Sequence, residues 1–156
     1  MKFLQLKCPP PIVMLISAIL ASIFSQRGLN FIQQQIGNVE NIIWPIAFFI
    51  VGFLVALAGV KEFSQHQTTV NPLDPTQSST LVTSGIYQLT RNPMYLGMLI
   101  ILLGWGDLLD NILAFSGALI FFIYISTFQI APEEEVMKDK FGDSFIEYCR
   151  QVRRWI

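Results

Sequence analysis

The stretch Gly-Ile-Tyr-Gln-Leu-Thr-Arg-Asn-Pro-Met-Tyr-Leu-Gly, residues 85–97, places an arginine, an asparagine, a proline and two tyrosines at the edge of a long apolar run. Polar side chains are costly at a membrane boundary, so they usually bind a ligand or take part in chemistry. The same residues also fit the start of a helix, with Asn92 as the N-cap, Pro93 at the first helical position and the arginine as an interfacial anchor. From this stretch alone, a helix start and a functional site are equally supported.

Outside this stretch the chain is mostly apolar. Of its 156 residues, 53% are hydrophobic and 13% are charged, whereas a soluble domain carries about 25% charged residues. Four segments contain no Asp, Glu, Lys or Arg, namely 8–26, 41–60, 92–106 and 111–132. A helix of about 20 residues crosses the ~30 Å hydrocarbon layer. The pattern therefore predicts an all-α integral membrane bundle of about four transmembrane helices.

The four predicted spans differ in length. Residues 42–60 and 111–130 are long enough to cross a bilayer, whereas 12–25 and 93–106 are short and need tilt or polar ends. We interpret residues 1–156 as a single membrane domain. Within it, residues 1–61 hold two helices, and residues 62–156 hold a loop, a helical hairpin and a tail. Gly52 and Gly59 lie seven positions apart in the second predicted helix, and Gly97 and Gly104 lie seven apart in the third. Each pair predicts a helix face against which another backbone packs closely.

Basic residues predict the orientation of the chain. Nine of the ten fall before the first helix, around the 62–84 loop or in the tail, and only Arg27 falls in the first return loop. The positive-inside rule then predicts that both termini and the site face the cytoplasm, with a bacterial inner membrane as the expected host. The first helix also fits a cleaved secretory signal, although three further apolar runs favour a retained anchor. The net charge of −1 argues against a nucleic-acid partner.

The 62–84 loop and the tail differ in character from the apolar segments. Two prolines and many hydroxyl groups in 68–79 exclude a regular helix and are typical of a lid or binding loop. After Pro132 we expect a new helix, cytoplasmic and amphipathic, because proline suits a first turn and the acids 133–135 favour the positive end of the helix dipole. An apolar residue then recurs every four positions, at Met137, Phe141, Phe145 and Cys149. Gly142 is expected to bend or divide this helix.

Two interpretations of Glu133-Glu134-Glu135 remain open. The first is compensation of the helix dipole with one i,i+4 ion pair between Glu134 and Lys138. The second starts from position, because these acids leave the last membrane helix on the predicted side of Arg91. Carboxylates opposite a guanidinium could hold a zwitterion by its amino and carboxylate groups.

Other chemistries lack their motifs. His66 is the only histidine, and too few ligands converge on it for a metal site, so we predict none. No dinucleotide-binding glycine motif, P-loop or convincing Ser-His-Asp set is present.

Two blocks of sequence resemble the isoprenylcysteine carboxyl methyltransferase family, which also includes bacterial phospholipid and small-thiol methyltransferases. The first block is Leu81-Val82-x-x-Gly85-x-Tyr87-x-x-x-Arg91-Asn92-Pro93-x-Tyr95-x-Gly97. The second block is Glu133-Glu134, then Met137, Phe141-Gly142 and Tyr148. The blocks occur in the family's order and are separated by a helical hairpin.

The resemblance implies an integral membrane enzyme that uses S-adenosyl-L-methionine to methylate a lipophilic acceptor, which could be a prenylcysteine-like carboxylate, a lipid amine or a thiol. The implied partners are the bilayer and this small molecule. Arg91 and Glu134 are the implied catalytic residues, serving cofactor or acceptor. The implied cofactor-binding residues are His66, Thr80, Leu81, Val82, Tyr87, Asn92, Pro93, Tyr95 and Glu133.

Three positions depart from the family's prenylcysteine enzymes. Asn92 stands where they have histidine, Gln129 where they have an arginine for the substrate carboxylate, and Phe145 where they have the first of two tyrosines. The resemblance therefore points to the methyl donor and leaves the acceptor and the oligomeric state open. Two other classes also remain open. One is an NADPH-dependent membrane reductase with a similar C-terminal half, and the other is a non-enzymatic scaffold or lipid-binding subunit.

Overall fold

The computed structural model describes residues 5–26, 39–66 and 77–156. Its α-helices are α1 (Pro10–Phe24), α2 (Val39–Gln65), α3 (Pro93–Leu108), α4 (Ser116–Tyr124), α5 (Ala131–Phe141) and α6 (Asp143–Gln151). Gly85–Gln88 and Ile112–Phe115 form 3₁₀ turns, and Ile125–Ile130 is π-helical. These described ranges contain no strand, so the predicted all-α class is confirmed. Most of the predicted first return loop and the middle of the 62–84 loop lie outside them.

Among the described residues, two helical runs are long and apolar enough to cross a membrane, Asn41–Gln65 and Ile112–Phe141. Two shorter apolar helices, Pro10–Phe24 and Pro93–Leu108, accompany them. The first long run presents large apolar side chains to its surroundings, including Trp44, Phe53 and Leu54. Hydrocarbon chains are the surroundings that such a surface fits, because contiguous apolar patches of this extent are rare on soluble monomers.

Small residues let α2 and α3 approach closely. A Cβ atom added at Gly52 would lie 2.6 Å from the backbone oxygen of Gly97, which is too close for any larger residue. Likewise, a Cβ atom at Gly59 would lie 2.9 Å from the Pro93 ring, and one at Gly104 would lie 2.6 Å from the Phe48 side chain. The predicted close packing through these glycines is confirmed.

Helix α1 closes the other side of α3 and also packs on α4. Ser17 and Ala21 are buried, and a Cβ atom added at Gly117 of α4 would lie 2.7 Å from the Ala21 side chain. The indole nitrogen of Trp105 on α3 donates to the backbone oxygen of Ala18 at 3.2 Å. The helix α3 therefore lies between α1 and α2, and its first residues are surrounded by both.

The sequence predicted that the last membrane helix ends before Pro132, but the helix continues through this residue. A single helical run continues from Ile112 to Phe141. Proline has no amide hydrogen to donate to the carbonyl four residues earlier, which belongs to Phe128. That carbonyl instead accepts from the backbone N–H of Leu6 at 3.1 Å, and the preceding π-helical turn widens the helix at the same point. Pro132 does lie in the first turn of α5, as predicted. However, α5 continues the preceding helical run without a break, which the sequence could not show because both adjustments depend on tertiary structure.

Gly142 divides the tail, as predicted. Its φ is +55°, a left-handed conformation that glycine adopts without steric cost, and α5 ends there while α6 begins. The predicted apolar stripe then packs into one cluster with Val82 and Tyr87, through Met137, Phe141, Phe145 and Cys149. The tail thus folds back against the segment that follows the 62–84 loop.

The glycine contact between α2 and α3 can be tested with two leucine substitutions. Gly52→Leu should destabilise the protein, because the new side chain collides with Gly97 and Ile101. The expected loss is about 1–3 kcal/mol, as for other overpacked sites. Val51→Leu is the matched control, since Val51 is 50% exposed on the same helix. Thermal unfolding in detergent, followed by circular dichroism, should show a lower midpoint for Gly52→Leu only; equal midpoints would contradict the packing.

Candidate methyl-donor site

A cavity of about 300 Å³ lies where α1, α2, α3, α5, α6 and the 78–87 segment meet. Nine of the eleven predicted site residues line it: Thr80, Leu81, Val82, Tyr87, Arg91, Asn92, Tyr95, Glu133 and Glu134. The two sequence blocks, which are separated by a helical hairpin, therefore meet at one cavity.

Two predicted site residues do not line the cavity. His66 is exposed just after α2, and its Nδ1 atom lies 2.9 Å from the backbone oxygen of Glu62. Pro93 is buried in the first turn of α3, where its ring lies beside Gly59. Pro93 therefore sets the start of the helix, as its first-turn position predicted, and the neighbouring side chains reach the cavity.

Glu134 is held between two arginines. Arg91 Nη2 donates to Glu134 Oε1 at 2.7 Å. Arg154 donates to the same carboxylate twice, from Nη2 to Oε2 at 2.5 Å and from Nε to Oε1 at 3.1 Å. Arg91 and Glu134 are only 12% and 22% exposed, so the charge-assisted bond between them is largely shielded from water, whereas Arg154 is 38% exposed. The alternative ion pair with Lys138 is wrong, because tertiary partners occupy both carboxylate oxygens.

Arg91 is directed into the protein, where its side chain is 12% exposed. Its Nη1 donates to the backbone oxygens of Cys149 at 3.1 Å and Val152 at 3.0 Å. Its backbone N–H donates to the oxygen of Arg153 at 3.1 Å, while its Nε is buried without a partner in the described ranges. Arg91 therefore fastens the start of α3 to the tail, which an interfacial anchor would not do.

Glu133 is oriented by two donors that converge on one of its oxygens. Tyr95 OH donates to Glu133 Oε1 at 2.7 Å, and Gln129 Nε2 donates to the same atom at 2.7 Å. Gln129 is 1% exposed, four residues before Glu133 on the same helical run. Because both bonds reach Oε1 and Glu133 lines the cavity, its Oε2 is available to a ligand. Gln129 thus donates a hydrogen bond to the neighbouring carboxylate of Glu133. It stands at a position where the resembling prenylcysteine enzymes have arginine.

Asn92 precedes α3 but does not cap it with its side chain, contrary to the prediction. Its side-chain nitrogen donates instead to the backbone oxygen of Arg154 at 2.8 Å. The backbone oxygen of Asn92 accepts the first helical bond, from Leu96 N at 2.9 Å. The side chain is drawn away from the helix because the tail offers an acceptor, which could not be known without the tertiary fold.

Aromatic side chains form a second wall. The rings of Tyr87 and Phe63 lie 5.4 Å apart, and Tyr148 OH donates to the backbone oxygen of Tyr87 at 2.7 Å. Burial raises the pKa of Tyr87 and the pKa of Tyr148 above their ordinary values. Both phenols therefore stay protonated at physiological pH, and Tyr148 remains a donor to this contact.

Several cavity residues were not identified from the sequence. Met94 and Met98 lie four residues apart, and Met98 lies three residues after Tyr95. The helical period of α3 therefore places them near Tyr95 on one face, and this pattern could have identified them from the sequence. Pro10 and Pro11 of α1, Val60 and Phe63 of α2, and Ser78 carry no such signal, because only the packing of separate helices brings them to the cavity. Within residues 5–26, 39–66 and 77–156, no group of three or more His, Cys, Asp or Glu side chains is placed to hold a metal ion.

Comparison with known proteins identifies the family. A sequence profile of the phospholipid methyltransferase family matches residues 41–144, which is more than half of the chain. The chain therefore belongs to the phospholipid methyltransferase family, and the resemblance seen in the sequence is confirmed. Its two long apolar helical runs are those of a membrane protein, and the family that it belongs to is described as one of methyltransferases. No solved structure matches the chain.

Three curated relatives are similar to segments of the chain. The protein-S-isoprenylcysteine O-methyltransferase of Schizosaccharomyces pombe is 29% identical over 69% of this chain and 45% of its own length. Protein-S-isoprenylcysteine O-methyltransferase B of Arabidopsis thaliana is 37% identical over 69% of this chain and 54% of its own length. The chain thus spans about half the length of these two methyltransferases. A protein of Haemophilus influenzae described only as uncharacterized is 49% identical over 40% of this chain and 100% of its own length.

The buried ion pair should matter more to stability than an exposed one. Arg91→Ala removes a partner from the shielded Glu134 and leaves two backbone oxygens without a donor. Because Arg154 still pairs with Glu134, the expected loss is that of the hydrogen bonds made by Arg91, about 2 kcal/mol. Arg150→Ala is the matched control, because the Arg150–Glu147 pair is exposed and exposed pairs contribute about 0–1 kcal/mol.

The measurement is equilibrium unfolding in mixed detergent micelles, followed by tryptophan fluorescence. A large loss for Arg91→Ala beside a small one for Arg150→Ala is the expected result. Similar losses for the two variants would show that the Arg91 contacts add no more stability than a surface pair.

Proposed function

We propose that the protein is an S-adenosyl-L-methionine-dependent methyltransferase that methylates a lipophilic acceptor from the bilayer. The observation that carries this proposal is the composition of the cavity wall. The lining combines charged and aromatic side chains, Arg91, Glu133, Glu134 and Tyr87, with apolar ones such as Met98. A polar donor and an apolar acceptor need both kinds of side chain in one cavity.

The charged residues of the cavity fit the proposed donor. Arg91, Glu133 and Glu134 are the charged side chains among its described lining residues, and because Arg91 and Arg154 both pair with Glu134, Glu133 is the lining carboxylate without an ion pair among the described residues. S-adenosyl-L-methionine carries a sulfonium, an ammonium and a carboxylate group, hence a net positive charge. A cavity of about 300 Å³ falls at the lower end of the ~300–1,000 Å³ range of small-molecule sites. Size and charge therefore both support a ligand of this class.

Each wall has a proposed role. Glu133 Oε2 would accept from the ammonium group of the donor, with Oε1 already engaged. Asn92 and Tyr95 would lie beside the methionine moiety. The apolar and aromatic residues of the 80–87 segment would cover the adenosine, through Thr80, Leu81, Val82 and Tyr87. Arg91 and Glu134 would hold polar groups of the donor or of the acceptor, whereas this proposal gives His66 and Pro93 no direct contact.

The chemistry requires few side chains. S-adenosyl-L-methionine supplies an already activated methyl group, so the protein mainly has to hold an acceptor close and in line with it. A carboxylate or thiolate acceptor needs no general base, whereas an amine must lose a proton. The ion pairs of Glu134 with Arg91 and Arg154 fix the shape of this region, which supports such alignment.

The apolar wall supports a lipid acceptor. It combines residues from three helices: Pro10 and Pro11 of α1, Val60 of α2, and Met94 and Met98 of α3. Helices α1 and α2 expose large apolar side chains, and Val60 of the cavity wall is itself 41% exposed, which supports access to the cavity from hydrocarbon. We infer four membrane spans, with α1 and α3 as the two short ones. We also infer that the cavity and the tail, with α6 as an amphipathic helix, lie on the cytoplasmic side of a bacterial inner membrane.

Donor binding tests the proposal directly. Isothermal titration of the purified protein with S-adenosyl-L-methionine should give saturable binding. Glu133→Ala should weaken that binding at least about tenfold, because a charge-assisted hydrogen bond is lost. Glu135→Ala is the matched control, since Glu135 is the exposed neighbour on the same helix and should bind like the parent protein. Absence of binding to the parent protein would refute the proposal, as would equal binding by all three proteins.

Methyl transfer tests the acceptor class. The protein is incubated with isotope-labelled donor and vesicles that contain a prenylcysteine, an amine-headed phospholipid or a long-chain thiol, and lipid extracts are analysed by mass spectrometry. Label in one class would identify the acceptor chemistry. Titration with NADPH in place of the donor separates the reductase alternative, because saturable NADPH binding without donor binding would favour a reductase. A scaffold would be favoured if the protein bound neither the methyl donor nor NADPH and if a triple variant at Tyr87, Arg91 and Glu133 still supported function.

A further inference from the structure

Arg154 holds two segments of the candidate site without lining the cavity itself. Its guanidinium donates to both oxygens of Glu134, at 3.1 and 2.5 Å. Its backbone oxygen accepts from the Asn92 side chain at 2.8 Å and from Thr90 Oγ1 at 3.4 Å. One residue of the tail therefore contacts α5 through its side chain and the start of α3 through its backbone.

The residues around Arg154 explain how its position is maintained. After α6, Val152 is extended, so the chain leaves the helix and runs past the start of α3. Arg153 accepts from the backbone N–H of Arg91 at 3.1 Å. On the other side, Trp155 Nε1 donates to Ser126 Oγ at 3.2 Å, and its ring lies 5.0 Å from that of Phe122. Residues 152–155, which we call the tail strap, are thus fastened on both sides of Arg154.

The two arginines act differently on Glu134. Arg91 lines the cavity and donates to Glu134 Oε1. Arg154 is not among the lining residues and donates to both oxygens of Glu134. With Arg154 present, the plane of the carboxylate is set by two bonds from one planar guanidinium. Without it, Glu134 keeps one bond and can rotate toward the cavity. Donor binding would then have to order a mobile charge, which costs affinity.

We propose that Arg154 is a positioning residue for the methyl-donor site, acting through Glu134. The proposal rests on the function proposed above, because it assumes that the donor occupies the cavity which Glu134 lines. The role is distinct from that of Arg91, since the Arg154 side chain contributes no atom to the cavity wall.

The first test compares donor affinity among single variants of the full chain. Arg154→Ala should raise the Kd for S-adenosyl-L-methionine about tenfold, the effect of losing a charged hydrogen bond. Arg154→Lys, which keeps the charge but not the planar two-point contact, should lie between Arg154→Ala and the parent protein. Arg150→Ala removes an exposed arginine with an exposed partner and should match the parent protein.

A double-mutant cycle separates positioning from general destabilisation. If Arg154 acts through Glu134, Arg154→Ala should weaken binding little or not at all when Glu134→Gln is already present. An equal tenfold loss in both backgrounds would overturn the proposal, because it would show that Arg154 acts through the fold. If Arg154→Ala fails to fold, as judged by its melting midpoint in detergent, the same cycle is run with Arg154→Lys.

The outcomes for the parent protein and the variants are distinguishable. A parent protein that binds the donor, beside an Arg154→Ala variant that binds equally well, would refute the positioning role and leave the proposed function intact. A parent protein that binds no donor would refute both.

Discussion

The carboxylate of Glu134, shared by Arg91 and Arg154, is the interaction on which the site depends. Burying charges is expensive, and a buried pair is tolerated only when its geometry is good and its remaining donors and acceptors are satisfied. Here one carboxylate receives three bonds, and the backbone of the tail accepts two more from Arg91. The cluster therefore joins the start of α3, α5 and the tail strap, which are distant in sequence, into one wall.

The membrane helices bring these groups to the same place. The glycines of α2 and α3 bring the two backbones close together, which sets the start of α3 beside the end of α2. The run Ile112–Phe141 passes through Pro132 without ending, so Glu133 and Glu134 are carried on the same helix that crosses the apolar region. Its π-helical turn, Ile125–Ile130, adjoins these acids, and such turns are frequent at functional sites because they alter the direction of the side chains that follow.

Two departures from the resembling enzymes have structural explanations in this chain. Gln129 donates to Glu133, and Asn92 donates to the tail strap. Both side chains stabilise neighbouring protein groups, and the Oε2 atom of Glu133 receives no hydrogen bond from the described residues. The polar residues proposed to hold the donor are therefore fixed by hydrogen bonds. The apolar residues proposed to meet the acceptor set few directional constraints, which fits relatives whose names give different acceptors.

The sequence by itself determined the all-α class, the apolar segments, the glycine contacts and nine residues of the cavity wall, because charge depletion, glycine spacing and the two blocks are local patterns. It did not predict the continuous helix through Pro132, the contacts of Asn92 or the partners of Glu134. Arg154 looked like one more basic residue of a cytoplasmic tail. Only the tertiary structure decided these, because each depends on a hydrogen-bond partner supplied by a distant segment: Leu6 for the Phe128 carbonyl, and the tail strap for Asn92 and Glu134.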